Sequence, residues 1–314
     1  MLNVRNILVT TDLAEDSLWS IRYGWTLAAR FGAELHVFYA DVLHGPLHGA
    51  SDTVRADTEV ASRLDELTTR IADEDRDGSR VKVRYAIERD VYPAPAILDY
   101  ADNQDVDLIV MGTHGRRGVS RLVLGSVAEE VVREAKCAVM TIRKPEGEVP
   151  DHVDMTSVLV PFDFSEHAEQ ALAHAKELAA AFGARIELLH VIEEQLHPAF
   201  YGITVQSIYD LDPDIEQKSV DHMKEAFESI AGPDVRVAYE ARGGSPAREI
   251  ADYADEIGAS LIVMGTHGLT GLEHFLLGST TERVLRRAKV PVLALKSLEK
   301  SLLDTPAGTQ ASTA

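Results

Sequence analysis

Leu108-Ile-Val-Met-Gly-Thr-His-Gly115 occurs twice in this chain: the same eight letters return as Leu261 to Gly268. Leu124-Gly-Ser126 returns as Leu277-Gly-Ser279 at the same distance downstream, and Phe31-Gly-Ala33 returns as Phe182-Gly-Ala184. The offset is 151 residues early in the repeat and 153 later. Self-similarity on this scale means one unit written twice. The 314 residues therefore divide into a first domain, residues 1–146, and a second, residues 152–298, each of about 145 residues, an ordinary size for one compact domain. Lys144-Pro-Glu-Gly-Glu-Val-Pro-Asp151 has the Pro, Gly and charge content of a linker. Residues 299–314 have little to bury and read as a disordered tail.

Working outward from the octapeptide, Asp107 to Met111 is an apolar run that ends in glycine, which is how a buried strand enters a turn. Four more short strand-like runs rich in apolar and β-branched residues stand in the first copy: Asn6 to Thr10, Glu34 to Ala40, Val81 to Ile87 and Ala138 to Ile142. Helical patterns separate them, over Ala14 to Phe31, Val54 to Asp75, Pro93 to Asn103 and Val127 to Lys136. Strands apolar on both faces and alternating with helices belong to a parallel sheet covered on each side. The expected fold is α/β, a doubly wound domain made twice in tandem.

Charge and composition limit the partners. The chain has 31 basic and 51 acidic side chains, a net charge of −20, and 45% of it is hydrophobic. Such a surface repels phosphate backbones and anionic lipid, so neither nucleic acid nor a membrane surface is an expected partner, and an anionic ligand needs a local pocket. Lysine is scarce beside arginine, a composition that suits high salt and an ordinary cytosol alike. The single cysteine, Cys137, excludes an intrachain disulfide framework and a Cys-cluster zinc site. No signal-peptide pattern opens the sequence and no apolar run reaches about 18 residues, which points to the cytoplasm.

In doubly wound sheets ligands sit outside the carboxyl ends of the strands, where the winding reverses. Each copy places Gly-Thr-His-Gly there, directly after the strand ends Met111 and Met264, which are counted with it among the expected ligand contacts: Gly112 and Gly115 in the first, Gly265 and Gly268 in the second. Nine residues later Gly125-Ser126 and Gly278-Ser279 open a helix. Glycine lets the backbone approach a ligand closely, and a helix start offers unpaired N–H groups to an anion. The pattern suits a di- or triphosphate. Taken alone, Ser126 and Ser279 read first as helix caps, a role compatible with phosphate binding, because Glu129 and Glu282 follow three residues later as in a capping box. His114 and His267 are expected to support the loop. No Gly-x-x-x-x-Gly-Lys-Ser/Thr, Gly-x-Ser-x-Gly or His-Glu-x-x-His occurs, and no dinucleotide fingerprint follows the first strand.

Gly-x-x-Gly, nine residues, then Gly-Ser, present twice over residues 3–143 and 156–296, resembles the nucleotide-binding signature of universal stress proteins. The resemblance implies a five-stranded parallel sheet of order 3-2-1-4-5 in each half and an adenine nucleotide site: ATP, or AMP or ADP, with Mg²⁺ beside a triphosphate. It implies contacts from an Asp after the first strand (Asp12, Asp163), a small apolar residue after the second (Ala40, Val191) and the glycine loop. Asp12 and Asp163 are otherwise helix caps, and Ala40 and Val191 strand-end packing. It further implies that the halves pair through their last strands as an internal pseudo-dimer, with further homodimerisation and an unidentified protein partner open.

The copies differ near the site. Gly244-Ser-Pro-Ala247 matches the family's turn into the third helix, whereas the first copy has Val91-Tyr-Pro-Ala94, and Ala14 stands where the second has Ser165. Arg116, Arg117 and Arg121 lie in the first nine-residue spacer, against Leu269, Thr270, Glu273 and His274 in the second. Arginines can grip phosphate bidentately, so the two sites are expected to differ in affinity. The expected function is an adenine-nucleotide-binding stress-response protein, a binding or signalling module with at most slow ATP hydrolysis. A nucleotide-free scaffold and an ATP-hydrolysing or adenylating enzyme are the alternatives. The enzyme ranks lower because Thr10 to Asp16 and Pro161 to His167, the loops after each first strand, contain no glycine.

Overall fold

The structure, a computed structural model, describes residues 1–42, 50–75, 80–113, 124–144, 151–193, 208–266, 277–296 and 300–303. The first half runs β1 (Asn6–Thr11), a 3-10 turn (Glu15–Ser17), α1 (Leu18–Phe31), β2 (Glu34–Val42), α2 (Ala50–Glu74), β3 (Lys82–Asp90), α3 (Pro93–Asn103), β4 (Leu108–Gly112), α4 (Ser126–Glu134) and β5 (Ala138–Ile142). The second runs β6 (Ser157–Pro161), α5 (Glu166–Phe182), β7 (Arg185–Ile192), the short α6 (Ile208–Leu211), α7 (Ile215–Ser229), β8 (Val237–Gly243), α8 (Pro246–Glu256), β9 (Leu261–Gly265), α9 (Ser279–Arg287) and β10 (Val292–Leu295). Local chemistry sets several of these bounds. α1 and α5 each end on a glycine in the left-handed region, Gly32 and Gly183, both at φ 68°. α3 and α8 each begin at a proline, whose missing N–H costs nothing in a first turn.

Each half is the expected parallel sheet, in the order β3-β2-β1-β4-β5 and β8-β7-β6-β9-β10. The two join into one ten-stranded sheet because β5 and β10 pair antiparallel, Met140 opposite Leu293 and Val139 opposite Ala294. Every other pairing between neighbouring strands is parallel. One apolar cluster covers one face, between the sheet and α1, α2, α5 and α7; a second covers the other, under α3, α4, α8 and α9. Both clusters draw residues from both halves, so the junction is core. The equivalent residues Phe31 and Phe182 meet edge to face with ring centroids 6.1 Å apart, a self-contact that marks a two-fold relation between the copies.

The same relation appears in polar form where the last strands end. Arg143 donates to the carbonyl of Arg286 at 2.8 Å, and Lys296 donates to the carbonyl of Arg133 at 2.6 Å. Each half thus places a cation on the carboxyl end of the other half's last helix, where the dipole and unpaired carbonyls favour positive charge.

Residues 300–303 depart from the reading of everything after 298 as a loose tail. Leu302 is buried, its carbonyl accepts from the Asn3 N–H at 2.8 Å, and Leu303 bridges Leu2. Lys300 reaches the buried Asp107 at 2.8 Å; Asp107 also accepts from the Arg5 and Asn6 amides at 2.7 and 2.9 Å. The chain returns here to the first half because a buried carboxylate and an apolar slot await it. Residues 304–314 and the linker residues 145–150 lie outside the described residues.

His174 on α5 holds the other side of this strap. Its Nε2 accepts from the Leu302 N–H at 3.3 Å and faces the Ser301 hydroxyl at 3.2 Å, which assigns the ring proton to Nδ1, bonded to the Gln170 carbonyl at 2.7 Å. Burial holds its pKa below the ordinary 6.5. A base with a depressed folded-state pKa contributes stability that is complete above the unfolded value and is lost as pH falls below it. Thermal melts from pH 7.5 to 5 should therefore show an acid loss that is smaller in His174→Gln. An identical loss in both proteins would remove His174 as its source.

Cys137, directly before β5, is buried, and burial pushes its thiol up to about 12. It is not a reactive nucleophile.

Candidate functional site

The winding reverses between β1 and β4 in the first half and between β6 and β9 in the second. Register places the candidate residues at one level there. Thr11 lies opposite Tyr39 on β2, so Asp12 and Ala40 follow as neighbours, and Gly112 ends β4 on the other side of β1. In the second half Pro161 lies opposite Leu189, with Asp163 and Val191 each two residues on, and Gly265 ends β9. Ala40 and Val191 are half-buried against the second apolar cluster and present only small side chains. Met111 and Met264 are buried beneath the turns, so they support the site from inside the core.

The glycine loop is closed at its neck. Thr113 donates its N–H to the Ile142 carbonyl at 3.0 Å, and Gly125 donates to the Thr113 carbonyl at 2.8 Å. Thr266 and Gly278 repeat both bonds at 3.0 and 2.8 Å. The start of the helix is thereby held against the end of the strand. Gly115, Arg116 and Gly268 lie outside the described residues, as do His114, Arg117, Arg121, His267, Leu269, Thr270, Glu273 and His274.

The capping-box expectation is corrected. The N-cap residues are Gly125 and Gly278, without side-chain caps, and Ser126 and Ser279 are the first helical residues, with exposed side chains. Glycine in the cap position has no oxygen to give, so the early amides of α4 and α9 lack a side-chain acceptor from their caps. Glu129 and Glu282 do not reach back; Arg286 holds both, at 2.8 and 3.0 Å.

Asp12 and Asp163 are not N-caps either. Asp12 Oδ1 accepts from the Ala14 N–H at 3.1 Å and the Ser17 hydroxyl at 2.9 Å. Asp163 Oδ1 accepts from the Ser165 N–H at 3.1 Å and from the Ser165 hydroxyl. The cap of α5 is Ser165, whose Oγ accepts from the Ala168 N–H at 3.2 Å. In each half one carboxylate oxygen is thus anchored by the turn that follows the strand, which fixes the side chain at the strand's mouth.

Two residues went unnoticed in the sequence. Leu13 and Phe164, equivalent positions directly after the aspartates, have φ of 65° and 62°. A non-glycine residue in the left-handed region costs about 1–2 kcal/mol, and such strain concentrates where a loop is shaped for a ligand. Nothing in Leu or Phe announces a positive φ; only their matching positions could have raised the question. Phe164 is 37% exposed and meets Phe162 and His222 edge to face and His190 at a tilt, at 5.2, 6.2 and 4.8 Å between centroids. The second mouth thus carries Phe162 and Phe164 where the first has Thr11 and Leu13.

The turn after the third strand also differs. Gly244, at φ 146°, donates to the Ile192 carbonyl at 3.0 Å, and a Cβ there would press on Glu249. The first half turns through Asp90, whose Oδ1 accepts from the Val91 and Tyr92 amides, leaving Val91 and Tyr92 57% and 67% exposed. The absent glycine is replaced by a carboxylate-held turn that leaves a valine and a tyrosine exposed.

Among the described residues no group of three or more His, Cys, Asp or Glu could hold a metal ion, and no helix is long and apolar enough to cross a membrane. A sequence profile of the universal stress protein family matches residues 3–143 and again residues 155–296. The chain belongs to the universal stress protein family. Universal stress protein MJ0577 of Methanocaldococcus jannaschii is 32% identical over 151 residues, a match covering 44% of this chain and 93% of that protein. Universal stress protein Mb2028c of Mycobacterium bovis is 31% identical over 209 residues, covering 65% of this chain and 66% of its own. A crystal structure of a universal stress protein from Archaeoglobus fulgidus matches with a TM-score of 0.59 at 24% identity, covering 93% of this chain and 98% of that one. That match extends the fold comparison across the whole tandem. In this universal stress protein, then, both halves carry a strand-end aspartate and a closed loop neck, while the side chains around them differ.

Proposed function

We propose that this universal stress protein binds an adenine nucleotide, ATP or AMP or ADP, at the mouth of each half, and acts as a nucleotide-dependent binding or signalling module in the stress response with little or no catalysis. The observation that carries this reading is a convergence built twice. A turn-anchored carboxylate (Asp12, Asp163), a small apolar strand residue (Ala40, Val191) and a glycine-capped helix start with an exposed serine (Ser126, Ser279) end at one level of one sheet. The donor set fits the ligand. Early helix amides and a serine hydroxyl suit phosphate oxygens, a carboxylate suits a ribose hydroxyl or a Mg²⁺ carried by the phosphates, and a small side chain leaves room for a base. Gly112, Gly115, Gly265 and Gly268 would let the loop backbone close over the phosphates.

The test is direct. Nucleotide extracted from gently purified protein should be identified by mass spectrometry as adenine nucleotide, and ATP should titrate into nucleotide-free protein. Gly115→Trp and Gly268→Trp should each weaken binding at their own site about tenfold or more, roughly 1.4 kcal/mol, with the melting curve retained. Folded protein that neither carries nor titrates with ATP, ADP or AMP would leave the scaffold reading in its place. ATP turnover that depends on Asp12 or Asp163 would favour the enzyme.

A further inference from the structure

One guanidinium reaches both candidate phosphate helices. Arg286, in the last turn of α9, binds Glu282 one turn back on its own helix at 3.0 Å and Glu129 of the other half at 2.8 Å. Glu129 and Glu282 are equivalent residues, each three places after the serine that begins its helix. A carboxylate in a first turn agrees with the helix dipole but opposes any phosphate arriving at the same end. Arg286 compensates both carboxylates at once.

The bridge is one-sided. By the two-fold relation Arg133, the equivalent of Arg286, should bind Glu282; it pairs with its neighbour Glu134 at 3.0 Å instead. The frame around the bridge is nevertheless symmetric, since Arg143 holds the carbonyl of Arg286 and Lys296 that of Arg133. Both helices are thus fixed at their carboxyl ends by the opposite half, and one side chain from the second half links their first turns. The three members are 33%, 32% and 38% exposed, partly sheltered from screening by salt.

We propose that Arg286 is a positioning residue that couples the two sites with negative sign. Phosphate arriving at α9 draws Arg286 toward the new charge and leaves Glu129 less compensated at the start of α4, so the first site weakens when the second fills, and the reverse by linkage. This coupling rests on the nucleotide reading above; the mechanical tie between the helices does not.

Two measurements on the full chain separate them. Without nucleotide, amide hydrogen exchange over residues 126–134 should rise about two- to fivefold in Arg286→Gln, although the substitution lies in the other half. Arg133→Gln should leave residues 279–287 unchanged. Glu129→Gln removes the same bridge from the opposite side, and should speed exchange over residues 279–287 even if Arg286→Gln fails to fold. Unchanged exchange in both bridge variants overturns the tie. With MgATP followed by calorimetry, blocking the first site by Gly115→Trp should tighten the second about three- to fivefold over the unblocked chain, and Arg286→Gln should abolish that gain. Two sites that titrate independently overturn the coupling with the nucleotide reading intact. No ATP uptake in any variant overturns that reading and the coupling together, while the exchange data still decide the tie.

Discussion

Leu293→Asp is expected to cost more than about 4 kcal/mol and to lower the melting temperature by roughly 10 °C. Leu293 is 1% exposed on β10, directly across the junction from Met140, which is fully buried on β5. A carboxylate there would lose its water without gaining a partner. The effect should reach further than one site, because both apolar clusters run across this junction from half to half. Calorimetry on the unaltered chain should show one cooperative transition, and Leu293→Asp should split it into two as each half unfolds separately. Two resolved transitions in the unaltered protein would show that the shared core does not couple the halves.

Gly24→Leu should be comparably damaging, at about 3–5 kcal/mol, and Gly24→Ala should cost about 1–3 kcal/mol. Gly24 lies in the middle of α1, where glycine is ordinarily a liability of about 1 kcal/mol relative to alanine. A Cβ at this position, however, would overlap the side chain of Val9 on β1 and stand 3.1 Å from Leu35 Cδ1. Val9 and Leu35 are both fully buried, so neither can withdraw without opening space elsewhere. The equivalent residue in the second half is Ala175, itself fully buried, so alanine fits this place in one copy and not in the other. Val9→Ala should recover much of the loss in the Gly24→Ala background. Urea titration of the four proteins supplies the cycle, and a stabilised Gly24→Ala alone would refute the overlap.

The fold was open to reading because the repeated octapeptide joins two signals that rarely mislead, strict duplication and an apolar strand that stops at glycine. Its position fixed the ends of β4 and β9 and, through the alternation around them, the parallel sheets. Strand ends were set less closely. β2 and β3 continue to Val42 and Asp90, past their expected ends at Ala40 and Ile87, because they pair with each other as far as Val42 opposite Asp90. α1 was expected from Ala14, but its entry is a 3-10 turn and the helix proper starts at Leu18. Ser17 spends its hydroxyl on Asp12 and the Ala14 carbonyl and gives no cap.

At the site, residue types indicated Asp12, Asp163, Ser126 and Ser279 but not how each is held. The Ser-x-x-Glu pattern pointed to capping boxes because nothing local reveals Arg286, which lies 157 residues from Glu129. Long-range ion pairs leave no periodic trace. The ordering of residues 300–303 was hidden for a similar reason: Lys300, Ser301 and Leu302 look unremarkable until Asp107 and His174 are known to face them.

Joining β5 to β10 within one chain has a consequence for how such a protein can respond to its surroundings. Two separate subunits meeting through these strands would associate by mass action and come apart on dilution. A linker of a few residues holds the partners at an effective concentration in the millimolar range, whatever the amount of protein present. Pairing between the halves is then insensitive to expression level. Nor must the two faces remain copies of each other. A contact made by a symmetric pair occurs twice or not at all, whereas a fused pair can keep it once, as Arg286 and Glu129 do. Fusion gives up separation as a response and gains the freedom for one half to specialise.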